Sequence, residues 1–367
     1  MAEQVVIERV AKVYPGGNLA LDDLSLAVEP GTFLVLLGPS GSGKTTLLRC
    51  IAGIERTTSG RITIGEALVA DSQSHVPPER RGLSMVFQDY ALWPHLVALD
   101  NVAFALRRHG LRRSECRREA AAMLERVGLG ALAHRYPGQL SGGEQQRVAL
   151  ARALVAQMGL VLCDEPLSNL DADLRERVRV EISALIRATG ATTVYITHDQ
   201  AEAFALADRV GVLERGKLVQ LGRPEEIYTA PASAFVARFT GLAGELTVRV
   251  LGRVGSNGEV EVTAPLHRMA GSLRAQTTIP DPLPEHALLT IRPTAVELCA
   301  PDRDEHHVLG SVADVGFRDR GYEHAVDIAG AARVNNVLAP FRAERGETVG
   351  LRFDPAGCLL FPLAGSS

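Results

Sequence analysis

Gly38-Pro39-Ser40-Gly41-Ser42-Gly43-Lys44-Thr45 is the stretch from which the rest of the chain can be read. It meets every required position of the phosphate-binding loop pattern, follows the apolar run Phe33 to Leu37, and precedes a helix-forming stretch from Thr46. Gly38, Gly41 and Gly43 allow backbone angles that turn several N–H groups onto a polyphosphate, and the positive end of the following helix adds to their field. Lys44 is placed to reach the β and γ phosphates and the Thr45 hydroxyl to ligate magnesium, with Pro39, Ser40, Ser42 and Thr46 completing the cradle. In this strand and helix setting the stretch predicts a nucleoside triphosphate site and not a plain turn.

Outward from the loop, composition sets limits. A chain of 367 residues is long for one core and predicts at least two domains. With 39 Lys and Arg against 43 Asp and Glu, a net charge of −4 gives no global attraction to nucleic acid or anionic lipid. Cys50, Cys116, Cys163, Cys299 and Cys358 are scattered and form no CxxC pair, which argues against a disulfide framework or a zinc site and suits a reducing cytosol. Met1-Ala2-Glu3-Gln4 lacks a signal segment, and no apolar stretch approaches the roughly 18 to 20 residues needed to cross a bilayer. The expectation is a soluble chain whose membrane role, if any, runs through partners.

Before about residue 240, short apolar runs alternate with helical patterns: Gly159 to Cys163, Ala172 to Thr189, then Thr192 to Thr197. This predicts an α/β domain with a largely parallel core sheet. After Gly241 the pattern becomes short strands, Leu246 to Val254, Glu259 to Thr263, Ala287 to Ile291, Ala325 to Ala329 and Thr348 to Phe353, divided by turn sequences such as Gly255-Ser256-Asn257-Gly258, and it predicts a small β-barrel. Ala230 to Gly244 reads as a linker.

Downstream, Leu160-Val161-Leu162-Cys163 leads into Asp164-Glu165, an acidic pair at the tip of a buried strand, where parallel sheets place ligands. Beside the loop, Asp164 is expected to hold magnesium and Glu165 to orient and polarise the attacking water. Between the two motifs, Leu140-Ser141-Gly142-Gly143-Glu144-Gln145-Gln146-Arg147 opens a further helix with Ser141 as N-cap and two glycines leaving N–H groups open. By spacing alone it is as much a plain helix cap as a second anion site.

These elements together resemble ATP-binding cassette proteins, over roughly residues 4 to 238. Ser141, Gly142, Gly143 and Glu144 look like the family's signature sequence, Tyr14 like the aromatic that stacks on adenine, and Gln88 like the glutamine that joins the magnesium site to the helical subdomain. Ser168-Asn169-Leu170-Asp171 resembles the loop that crosses between subunits, with Asp171 at the nucleotide, and His198 resembles the switch histidine on the γ-phosphate. Glu144 stands where many relatives carry glutamine, and Met158 where a proline is frequent; neither touches the chemistry.

The resemblance implies a phosphate-loop NTPase cassette over residues 1–238, with a RecA-like core, an antiparallel β subdomain and a helical subdomain near 89–157. A small OB-like barrel follows at 239–367 that resembles the family's transport-associated domain, with Ile291-Arg292-Pro293 as the recurrent element, and the resemblance implies a regulatory or dimerising role for it. It implies ATP and Mg2+ as cofactors, with Thr45, Gln88 and Asp164 as metal ligands and Lys44, Gln88, Glu165 and His198 as catalytic groups. Two cassettes would dock head to tail, each ATP lying between one copy's loop and the other's Ser141.

The stretch from Glu79 through Pro94, with Trp93 on a loop beyond Gln88, resembles subunits of bacterial importers. That implies two integral membrane permease subunits, an extracytoplasmic substrate-binding protein, and residence at the cytoplasmic face of the inner membrane. Ferric iron or a polyamine such as spermidine or putrescine is the expected solute, with sulfate, phosphonate and sugar importers and a nucleic-acid ATPase as alternatives. Against nucleic acid, the basic run Arg107-Arg108-His109-Gly110-Leu111-Arg112-Arg113 has Glu115, Glu119 and Glu125 close by and no interleaved aromatics, so it reads as a solvated face.

Overall fold

Phe33–Leu37, Leu160–Asp164 and Thr192–Thr197 are buried at every residue, as expected of strands covered on both faces, and they form the middle of a parallel sheet. In the computed structural model, which describes residues 2–107, 110–168, 172–254, 258–263, 273–301, 308–328 and 332–363, the chain divides into two units, up to Ile227 and from Tyr228.

The first unit opens with β1 (Val5–Val13), β2 (Leu19–Val28), β3 (Phe33–Leu37) and α1 (Lys44–Ala52), followed by β4 (Ser59–Ile64), β5 (Ala67–Ala70) and β6 (Leu83–Val86). Three helices come next, α2 (Ala98–Leu106), α3 (Arg113–Arg126) and α4 (Gly142–Leu154). The alternation then resumes with β7 (Leu160–Asp164), α5 (Ala172–Arg187), β8 (Thr192–Thr197), α6 (Gln200–Leu206), β9 (Arg209–Glu214) and β10 (Lys217–Gly222). β2-β1-β4-β5 make an antiparallel sheet. The second sheet has the order β10-β9-β3-β8-β7-β6, parallel except at its β9–β10 edge.

One hydrophobic core joins the two sheets. Ile7, Leu24 and Ile62 from the first meet Leu34, Leu162 and Ile196 from the second across Leu47, Leu48 and Ile51 of α1. Each such side chain, fully buried, contributes on the order of 2 kcal/mol. That packing fixes the axis of α1 and therefore the position of Lys44 and Thr45 at its start. Apart from this core, α2 packs on α3 and α4. α3 buries Cys116, Ala120, Met123 and Leu124, one stripe at helical spacing.

After α7 (Pro224–Thr229), the second unit holds α8 (Ala234–Phe239) inside the interval that reads as a linker. Ser233 Oγ accepts from Val236 N to cap it, and Val236 and Ala237 are buried. β11 (Gly244–Val254), β12 (Glu259–Thr263), β13 (Leu273–Thr277), β14 (His286–Ile291) and, later, β20 (Cys358–Pro362) close a barrel in the order β11-β12-β13-β20-β14. Between β14 and β20 the chain builds a second sheet from β15 (Val296–Cys299), β16 (Val308–Arg318), β17 (Gly321–Ile328), β18 (Ala332–Ala339) and β19 (Thr348–Phe353), in the order β15-β19-β16-β17-β18. A single apolar cluster runs through barrel and sheet, so the expected barrel is only half of this β unit. The expected turn at Gly255-Ser256-Asn257 and the strand end at Ala329 lie outside the described residues.

Arg292 organises the start of this unit. Nearly fully buried, it donates to Ala237 O, Thr240 Oγ1 and Gly241 O, and its guanidinium lies 4.3 Å from the centre of the Tyr228 ring. The Ile291-Arg292-Pro293 element is therefore a buried fork that ties α8 to the barrel strand β14.

Candidate functional site

The nucleotide loop leaves β3 at Leu37 and enters α1 at Lys44. Gly43 sits at the N-cap with φ 100°, a left-handed angle that only glycine adopts without strain. At Gly38 the constraint is space, because a Cβ there would stand 2.4 Å from Leu213 O. Lys44 is buried, and its Nζ donates to Gly38 O at 2.7 Å and Pro39 O at 3.0 Å, folded back along the loop that a polyphosphate would occupy. Burial pushes its ammonium below the usual lysine range, against the pull of Glu165 and Asp164. Ser42 Oγ, also buried, has no hydrogen-bond partner. A cation and a hydroxyl held without anionic partners in a cradle of backbone N–H groups suit a polyanion.

Three more loops leave the same end of the sheet as this one, because β3, β8, β7 and β6 are neighbours that run the same way. At the end of β7, Asp164 Oδ1 accepts from Thr45 Oγ1 at 3.3 Å. Burial raises its carboxyl, which Arg49 and Thr45 oppose. Glu165 follows at φ 41°, a left-handed angle rare for a residue with a side chain, and its N–H donates to Ile196 O on the adjacent strand. Such strain persists only where surroundings hold it, and it clusters at reactive sites. Its effect is to turn the carboxylate toward the end of β8, where His198 Nδ1 lies 3.0 Å from Glu165 Oε2. Gln88 stands exposed two residues beyond β6. Tyr14 follows β1, its hydroxyl 3.4 Å from Thr46 Oγ1.

The segment after Gln88 is strapped to the helices. Tyr90 and Ala91 both have left-handed angles, φ 63° and 46°. Arg152 of α4 donates to Ala91 O at 2.5 Å and Tyr90 O at 2.7 Å, and its guanidinium lies 5.1 Å from the Trp93 ring centre. Asn101 of α2, fully buried, accepts from Trp93 N and donates to Trp93 O and Leu96 O. Trp93 itself is half-buried, packed 4.4 Å centre to centre against Phe104. No motif spacing marks Arg152, Asn101 or Lys12 in the sequence.

Ser141 is placed as an N-cap of α4: its Oγ accepts from Glu144 N, and Glu144 Oε2 accepts from Ser141 N at 2.7 Å. That backbone hydrogen bond holds the Glu144 carboxyl below its usual range. Among the described residues these bonds link Ser141 and Glu144 to each other and not to the nucleotide loop. Asp171 lies outside the described residues, as do Arg108 and His109. In the rest of the basic run and the helix after it, Arg107 stacks over Phe104, Arg117 pairs with Asp100 and Arg118 with Glu119.

Residues 21–168 match the ABC transporter family and residues 289–361 the TOBE domain. The chain is 51% identical over 267 residues to the Fe(3+) ions import ATP-binding protein FbpC of Rhizobium etli, covering 73% of this chain and 74% of that one. The chain belongs to the ABC transporter family. Its reaction is that of the ABC ATPases, ATP and water giving ADP and phosphate. A second ABC relative, the spermidine/putrescine import ATP-binding protein PotA of Frankia alni, is 40% identical over 376 residues, 96% of this chain and 78% of that one. Among solved structures, the ABC cassette MJ0796, dimeric, in a post-hydrolysis state and bound to ADP and Pi, superposes with a TM-score of 0.54 at 32% identity, over 60% of this chain and 98% of that one.

Proposed function

We propose that this chain is the motor subunit of a bacterial importer, working as a head-to-tail pair at the cytoplasmic face of the inner membrane beneath two permease subunits fed by an extracytoplasmic binding protein. The observation that carries the proposal is the meeting of Lys44, Asp164, Glu165 and His198 at the ends of adjacent parallel strands, while Ser141 and Glu144 at the start of α4 bond to each other. A second copy supplies the glycine pair at Ser141, together with Asp171, to each bound ATP. The division of labour follows: residues 1–238 as motor, with 89–157 as its helical arm, and residues 239–367 as the dimerising or regulatory part.

In the closed pair, the N–H groups of residues 38–46 and the Lys44 ammonium hold the β and γ phosphates. Glu165 accepts a hydrogen bond from the attacking water and aims it, and His198 steadies the carboxylate and meets the γ-phosphate. The water oxygen bonds to the γ-phosphorus as the bond to the β–γ bridging oxygen breaks, and the water proton leaves by Glu165 to the phosphate product. Tyr14 stacks on adenine. The Thr45 hydroxyl, Asp164 carboxylate and Gln88 amide are hard oxygen donors that fit Mg2+, the first two already 3.3 Å apart. Bound there, Mg2+ would neutralise phosphate charge.

Ferric iron is the favoured solute, since the iron-importer relative from Rhizobium etli is more similar, at 51% identity, than the polyamine relative at 40%. The test is reconstitution of the chain with its copurified permease in proteoliposomes, with binding protein and either ferric iron or spermidine supplied. Phosphate release stimulated by ferric iron and tracking its uptake is expected; no stimulation by either solute would overturn the importer reading.

A further inference from the structure

Lys12 is a buried lysine that the phosphate chemistry leaves unused. It lies on β1, two residues before Tyr14, and is 8% exposed. Its Nζ donates to Glu55 Oε2 at 2.8 Å and to Arg56 O at 2.9 Å, so the ammonium has one fixed position. That position is 4.7 Å from the centre of the Tyr14 ring, over its face. Tyr14 is half-buried, and its hydroxyl meets Thr46 on the first turn of α1. The ring is therefore backed on one face by a cation and tied at its tip to the helix that carries the nucleotide loop.

We infer that Lys12 is the positioning residue for recognition of the nucleotide base, acting through Tyr14. A fixed cation over one face of an aromatic ring draws π density toward itself. The opposite face becomes a better platform for an electron-rich purine, and the ring gives up the rotation that stacking would otherwise have to freeze. Glu55 and the Arg56 carbonyl hold the ammonium off the phosphates, so Lys12 acts on the base and not on the triphosphate. This rests on the assignment of Tyr14 to adenine, and the controls separate the two.

Full-length chain carrying Lys12→Met is titrated with ATP and, separately, with inorganic tripolyphosphate, which lacks a base. ATP affinity is expected to fall about threefold to tenfold. Tripolyphosphate affinity stays within about twofold, and Lys12→Arg, which keeps a cation over the ring, restores ATP binding. The double variant Lys12→Met with Glu55→Gln removes the orphaned carboxylate and is expected to show the same split. Equal losses for both ligands would mean that Lys12 only holds β1 to the Glu55 loop, and no loss for either would mean that it does not act on the ring; each overturns the inference. If Tyr14→Ala leaves the ratio of the two affinities unchanged, the stacking assignment fails and the role of Lys12 fails with it. If Tyr14→Ala changes the ratio and Lys12→Met does not, only Lys12 is ruled out.

Discussion

Glu165 combines a strained backbone with a hydrogen-bonded partner on the neighbouring strand, and its substitution separates binding from chemistry. Glu165→Gln keeps the shape and the contact near His198 but removes the carboxylate proposed to take the water's proton. Phosphate release is expected to drop by about 100-fold or more, while ATP binding changes little and the closed pair accumulates on a sizing column. Near-normal turnover would remove Glu165 from that role. Lys44 gives a second expectation, in stability. Burial holds its ammonium below the ordinary lysine value of 10.5, so the folded chain holds this proton less tightly than the unfolded one. The penalty is fully present below the lowered pKa and is relieved as pH rises toward 10.5. Denaturant melts of the nucleotide-free chain should therefore gain stability across that window, and Lys44→Met should flatten the gain. Residues of this kind were legible in the sequence because strand, loop and helix follow each other within a few positions. Lys12 and Arg152 were not, because their partners Glu55 and Ala91 stand 43 and 61 positions away and are brought close only by the fold.

At the scale of the element, the loop beyond Gln88 is where energetics and function meet. Two consecutive left-handed residues would relax without the Arg152 fork that takes both of their carbonyls. Arg152→Met is expected to cost about 2 to 4 kcal/mol in a urea melt, the range for breaking a buried charged hydrogen-bond pair. Lysine should recover less than half, since a point charge reaches two carbonyls poorly. Turnover should fall more than ATP affinity, because the loop carries Gln88 and not the phosphate cradle; a stable variant with unchanged turnover would show that the strap is dispensable. The parallel strands were read from their unbroken apolar runs, which burial on both faces imposes. The second β unit was read only in part. Its short strands pair over long sequence distances, as where β20 sets Leu360 against Leu289 and Thr277, and no local signal encodes that closure.

For the whole molecule, two units with separate cores predict two thermal transitions. ATP should raise only the one belonging to the cassette, by about 2.7 kcal/mol at a hundredfold excess over its dissociation constant. Arg292→Met should lower the other, since it unties α8 from β14 and leaves Ala237 O, Thr240 Oγ1 and Gly241 O without their donor. A single transition that ATP and Arg292→Met move together would mean that the two units unfold as one. The central claim, however, is that a working pocket takes its phosphate loop from one copy and its glycine pair at Ser141 from another. Turnover per chain, measured across a dilution series alongside sedimentation velocity on the same samples, tests it most directly. A shared pocket predicts that turnover per chain falls as the pairs dissociate and vanishes in strict monomers. Turnover per chain that stays constant into the monomeric range would contradict it.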